Sequence, residues 1–114
     1  MPMIRHIVTI TLREDAATED IESFFEELVP ISGHPKAIEY YCGWNFQDLG
    51  DPCDIGISCA FANQADFEEY MASPDHGPPG VYLRRISDHW SVIDYVEGSP
   101  LEARAATRAE RGRA

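Results

Sequence analysis

Met3-Ile4-Arg5-His6-Ile7-Val8-Thr9-Ile10-Thr11-Leu12 is rich in β-branched residues and bounded by charge, which predicts a strand. Alternation places Ile4, His6, Val8 and Ile10 on one face, and Arg5, Ile7, Thr9 and Thr11 on the other. His6 therefore stands in an apolar row. A histidine in such a row is ordinarily a core residue bonded to backbone, and it gains chemical interest when something reactive lies opposite.

Downstream, Thr18 is a fitting N-cap, with Glu19 and Asp20 in the first turn, where the helix dipole favours acids. Ile21, Phe24, Phe25, Leu28 and Val29 recur at helical spacing, and Pro30 and Gly33-His34-Pro35 end the helix. His34, between Gly33 and Pro35, is expected in solvent. Ala37 to Phe46 reads as a second strand, with Ile38, Tyr40, Cys42, Trp44 and Phe46 on one face and Tyr41 and Gly43 on the other. Cys53 to Phe61 is the third, alternating Ile55, Ile57, Cys59 and Phe61 with Asp54, Gly56, Ser58 and Ala60. Asn63 caps the next helix, which buries Phe67, Tyr70 and Met71 and stops near Ala72 or Ser73, because Pro74 disfavours helix in the residue before it. Gly77-Pro78-Pro79-Gly80 makes a compact turn, Val81 to Asp88 a helical turn or two, and His89 to Val96 the last strand.

The order strand, helix, strand, strand, helix, strand implies an α+β, ferredoxin-like βαββαβ domain with a four-stranded antiparallel sheet and helices on one face. The domain spans residues 1–97, and residues 98–114, rich in Ala and Arg, read as a flexible tail. The helix-covered face takes Ile4, His6, Val8 and Ile55. The open face keeps Ile7, Thr9, Tyr41, Ala60, Ile93 and Tyr95, too apolar and aromatic to be left in water. A homodimer through that face is the simplest cover.

At 114 residues, 44% hydrophobic and 25% charged, the chain has the size and composition of one globular domain. Cys42, Cys53 and Cys59 form no C-x-x-C pair, and their odd number argues against a disulfide framework. No basic-then-apolar leader and no membrane-length apolar run appears, so a cytoplasmic location is expected. Net charge is −11; residues 98–114 carry four arginines and two glutamates, a net +2, leaving −13 on residues 1–97. Such an acidic body repels nucleic acid and anionic membranes, and neither is expected as a partner.

Phe67-Glu-Glu-Tyr70-Met-Ala-Ser-Pro74-Asp-His76-Gly-Pro-Pro-Gly80 carries the strongest chemical signal. A phenol at a helix end and an imidazole on the turn that follows can share one space as an acid–base pair. The plainer alternative is that Tyr70 packs beneath its helix and His76 decorates a turn.

Met3-Ile4-Arg5-His6-Ile7-Val8, Tyr70-Met71-Ala72-Ser73-Pro74-Asp75-His76 and Val92-Ile93-Asp94-Tyr95, in this order and spacing, resemble the stress-responsive dimeric α/β-barrel (Dabb) family, from Met3 to about Glu97. The resemblance implies protomers pairing through their open sheet faces into a dimeric α/β barrel. It also implies kinship with plant polyketide cyclases, which close a linear chain by an aldol step without metal or organic cofactor. Their catalytic tyrosine and histidine correspond to Tyr70 and His76, and their first-strand cavity histidine to His6. Two positions depart: Ile55 replaces a third-strand cavity histidine, and Ser73 a histidine before the proline. Ile55 makes the pocket more apolar and removes a polar handle.

The resulting expectation is a cofactor-independent cyclase or lyase acting on a polyketide-like or β-dicarbonyl small molecule. His76 serves as base, Tyr70 as donor to the developing oxyanion, and His6 as a binding or orienting group, among apolar walls Ile4, Phe24, Ile55 and Trp90. No metal is expected, because His6, His76 and Asp75 lack compact ligand spacing. The alternatives are a non-catalytic dimeric accessory protein whose cavity is filled, and a cofactorless monooxygenase or haem-binding barrel using His76 or His89.

Overall fold

The computed structural model describes residues 2–50 and 52–101; most of the segment read as a tail lies outside the described residues. The elements are β1 (Ile4–Leu12), α1 (Thr18–Ser32), β2 (Ile38–Trp44), β3 (Ile55–Phe61), α2 (Gln64–Ala72), a single 3-10 turn (Pro74–His76), α3 (Gly77–Ile86) and β4 (Ser87–Val96). The four strands form one antiparallel sheet in the order β2-β3-β1-β4, a ferredoxin-like arrangement. β1 and β3 are the interior strands, each paired along both edges.

Register decides what meets what. Ile4, His6, Val8 and Ile10 stand opposite Phe61, Cys59, Ile57 and Ile55 on one side, and opposite Val96, Asp94, Val92 and Trp90 on the other. Directly paired residues project to the same face, so these rows form the helix side of the sheet. Phe24, Leu28 and Ile31 of α1, Tyr70 of α2 and Ile86 at the end of α3 join Ile10, Ile55, Cys59 and Phe61 in one buried core.

Four local expectations are corrected. Ile38 pairs with Ala60, whereas Tyr41 pairs with Ser58, so one extra residue lies between them on β2. Glu39 adopts φ 52° within this bulge, which turns Ile38 to the open face, away from Tyr40, Cys42 and Trp44. Ala17, not Thr18, occupies the cap of α1 and offers no side-chain hydrogen bond. Pro30 does not stop that helix, which runs to Ser32; a proline this close to the end removes one backbone bond without breaking a following turn. Finally, Gly77-Pro78-Pro79-Gly80 is the first turn of α3, where prolines fit because first-turn N–H groups have no intrahelical acceptor.

The signals at α2 hold. The Asn63 side chain accepts from the Asp66 N–H at 2.8 Å, and the helix ends at Ala72 with Ser73 extended. Among the described residues no helix is long and apolar enough to cross a membrane.

Ile10 is fully buried and touches the centre of the core. Ile10→Ala is expected to lower the unfolding free energy by about 2–5 kcal/mol, as for other buried aliphatic truncations. Urea denaturation measures this, and a loss below about 1 kcal/mol would show that the helix side of β1 is not core.

Candidate active site

Tyr70 is placed by the end of a helix, and the rest of the site gathers around its ring. Pro74 forces Ser73 out of helical conformation, and the Ser73 Oγ accepts from the Asp75 N–H, starting the 3-10 turn. That turn carries His76 back against Tyr70, with ring centroids 5.3 Å apart and a near-perpendicular, edge-on geometry. From the sheet, β1 presents His6, whose ring lies 6.0 Å from that of Tyr70. From the α1–β2 connection, His34 packs edge-on at 5.7 Å. Three imidazoles thus surround one phenol.

Each has a different setting. His6 is 4% exposed, and its Nδ1 meets the Asp94 Oδ1 from β4 in a short hydrogen bond. That contact consumes Nδ1 and leaves Nε2 as the nitrogen available to a ligand. His34 is half-buried rather than free in solvent, and its Nδ1 accepts from the Lys36 N–H at 3.1 Å. His76 is half-buried, and burial followed by the nearby His6 holds its pKa below the ordinary imidazole value. Desolvation penalises its charged form, so near neutral pH it is an unprotonated acceptor.

Tyr70 is 2% exposed, and its hydroxyl interacts with the Tyr40 phenol of β2 and the Cys59 thiol of β3. Burial drives the Tyr70 phenol far above its ordinary pKa, with Tyr40 and Cys59 adding to the effect. Burial likewise pushes Tyr40 up to about 12 and Cys59 up to about 12. All three are proton donors, not anions, at physiological pH.

Beside these groups lies a cavity of about 100 Å³, lined by His6, Tyr40, Tyr70 and His76 together with Phe24 and other apolar side chains of α1, α3 and the sheet. Of the residues singled out in the sequence, His6, Phe24, Tyr70 and His76 meet there. Ile55 is fully buried in the core, but Ile57 is the third-strand residue that reaches the cavity. Ile4 packs against the edge of the core. Trp90, opposite Ile10, is 43% exposed and lies outside the cavity lining. Asp94, Tyr40, Cys59 and His34 escaped sequence reasoning as site residues. Asp94 alone left a trace there, as an acid interrupting Val92-Ile93 and Tyr95-Val96 on the last strand. Among the described residues no three His, Cys, Asp or Glu side chains converge to hold a metal ion.

The fold and this pocket define a ferredoxin-like α+β protein whose sheet is roofed by helices over a small, polar-ended cavity. The chain belongs to the stress responsive A/B barrel domain (Dabb) family, whose sequence profile matches residues 4–97. Among solved structures it is similar to the hydroxynitrile lyase from Passiflora edulis, with 17% identity, TM-score 0.75, and coverage of 86% of this chain and 95% of that one. A Dabb protein with a ferredoxin-like fold from Mesorhizobium loti has 24% identity, TM-score 0.68, and coverage of 87% and 100%. A dimeric ferredoxin-like protein of unknown function from Bacteroides fragilis has 25% identity, TM-score 0.67, and coverage of 83% and 96%. No curated protein matches the chain significantly.

The lowered pKa of His76 has a consequence for stability. Below the unfolded value of about 6.5, the unfolded chain takes up a proton there more readily than the folded one. The contribution is therefore fully present above that pH and is lost as pH falls through the folded value. The imidazole resonances of His76 are expected to titrate with a midpoint below that of a model histidine. In His76→Gln the decline of stability on acidification should be shallower, as followed by urea unfolding at a series of pH values. An ordinary or raised midpoint contradicts the burial argument.

Proposed function

We propose that the protein is a cofactor-independent lyase or cyclase that makes or breaks a carbon–carbon bond next to a carbonyl by His76/Tyr70 acid–base catalysis. The observation carrying this reading is the convergence of neutral His76, the Tyr70 phenol and Asp94-held His6 on one cavity. In the ring-closing direction, His76 takes a proton from the carbon between two carbonyls, leaving an enolate. The enolate carbon attacks a further carbonyl farther along the same molecule, and that carbonyl's C=O electrons become an aldolate oxygen. Tyr70 protonates that oxygen and is reprotonated from His76, so no proton or electron is left over. His6 orients the substrate oxygen through Nε2. In the reverse direction the same groups cleave a β-hydroxy carbonyl compound. A solved structure of similar fold bears the name hydroxynitrile lyase, which lends support to lyase chemistry on this scaffold.

We also propose that the working unit is a homodimer closed through the open sheet face. Tyr41, Ile93 and Tyr95 are 70%, 56% and 42% exposed in the protomer, an apolar surface large enough to need cover. Sedimentation should give twice the chain mass at micromolar concentration. Ile93→Glu should dissociate or unfold the assembly, because an unpaired buried charge is costly; a clean monomer for the unmodified protein overturns this.

The catalytic reading is tested with diacetone alcohol, a small β-hydroxy ketone, by following acetone release. Tyr70→Phe and His76→Ala should each remain folded and lose about 2–4 kcal/mol of transition-state stabilisation in kcat/KM. The double variant should be little worse than the poorer single one, because the two groups act as a unit. His6→Ala should act mainly on KM. Full activity in His76→Ala would end its assignment as the base. A non-catalytic accessory protein instead gives no protein-dependent acetone release at all.

A further inference from the structure

On the reading that this cavity is the active site, its charge and size restrict what can enter. The five lysines and arginines among the described residues are Arg5, Arg13, Lys36, Arg84 and Arg85, and none lines the cavity. Each has another partner. Arg5 reaches Glu39 at 2.7 Å and also Glu97, Arg13 reaches Asp15 at 3.1 Å, and Lys36 reaches Asp66 at 3.8 Å. Arg85 lies 3.6 Å from Asp20 and over the Tyr82 ring. Exposed Arg84 donates at 3.3 Å to the carbonyl of Gly80, a residue of the cavity wall, without its own side chain lining the cavity.

The polar groups that do line the cavity carry no net positive charge. Tyr40 and Tyr70 are neutral phenols, and burial disfavours a proton on His76. His6 is backed by the Asp94 carboxylate, so even a protonated ring leaves that pair uncharged overall. A carboxylate or phosphate placed here would lose its hydration and meet no cation in exchange.

Size gives the second restriction. About 100 Å³ is far below the roughly 300–1,000 Å³ of pockets for drug-sized ligands. The space equals the liquid volume of roughly three waters at about 30 Å³ each. Because covalently bonded atoms lie much closer together than separate waters, a compact molecule of roughly half a dozen heavy atoms fills the same space. Val8, Phe24, Leu28, Ile31, Ile57 and Leu83 enclose it with hydrocarbon, while the phenols and imidazoles offer neutral donors and acceptors.

We propose that the site takes a short, uncharged ketone or diketone, its oxygen at the Tyr70–His76 end and its alkyl part among the aliphatic walls. It excludes carboxylate, phosphate and carrier-thioester forms of the same skeleton. This is a specificity by omission: neutral oxygen is recognised, and negative charge is refused for want of a counter-charge.

Acetylacetone and acetoacetate form a matched pair, equal in heavy atoms and differing by a methyl group against a carboxylate oxygen. Binding of each to the full chain is followed near neutral pH by the ring resonances of Tyr70 and His76. Acetylacetone is expected to shift them and to bind about tenfold or more tighter than acetoacetate. Benzoylacetone, neutral but longer, should bind the unmodified protein poorly and Phe24→Ala or Leu83→Ala measurably better. Acetoacetate binding as tightly as acetylacetone overturns the charge rule. Benzoylacetone binding the unmodified protein as tightly overturns the size rule, and failure of both small ligands to move Tyr70 and His76 overturns the proposal entirely. Because only binding is read, a silent Tyr70→Phe in the diacetone alcohol assay would refute the catalytic reading while leaving this preference standing or falling separately.

Discussion

The pairing of β1 between β3 and β4 is the constraint on which the rest of this protein depends. With a side-chain period of two, a slip of one residue would turn His6 out of the core and Arg5 into it. The observed register sets His6 opposite Cys59 on one side and Asp94 on the other. It thereby decides at once which row is core, which residue is the site's sheet-side imidazole, and which carboxylate holds it. Arg5, on the opposite face, ties both edges of the sheet to the centre, reaching Glu39 of β2 and Glu97 just beyond β4. Partly exposed pairs of this kind add modest stability.

The second constraint is the stop at Ser73-Pro74. Without it α2 would continue, and His76 would travel along the helix away from the sheet. The 3-10 turn and the proline-led start of α3 return the chain beneath α1. Tyr70 is left at the junction of sheet, helix and turn, where packing from every side has removed water. The same burial that contributes to the core also keeps the phenol protonated and the neighbouring imidazole neutral. Core and chemistry are therefore not separable here. The residue that closes the hydrophobic cluster is also the acid of the proposed reaction.

Dabb membership accounts for the frame, and the side chains set the contents of the cavity. Ile57 and Tyr40 line it from the sheet, and Phe24, Leu28 and Ile31 from α1. Among the described residues no lysine or arginine lines the cavity, so an acidic body surrounds an interior site without a lining cation.

Local sequence was enough to determine the strands, helices α1 and α2, the stop at Ser73 and the alternation that put His6 indoors; it took the start of α3 for a turn. Each rests on period, propensity or a proline, properties carried within a few residues of chain. The proximity of Tyr70 and His76 was legible for the same reason, since six residues and a proline confine both to one corner. The Glu39 bulge was not legible, and it turned Ile38 to the opposite face; an extra residue in one strand shows only when the partner strand is counted against it. Nor could local pattern join His6 to Asp94, eighty-eight residues away, or bring Tyr40, Cys59 and His34 to the Tyr70 ring. Those meetings are set by strand order and helix packing, which arise from burial summed over the whole chain; Asp94, an acid in an apolar strand, marks one of the partners without naming the other.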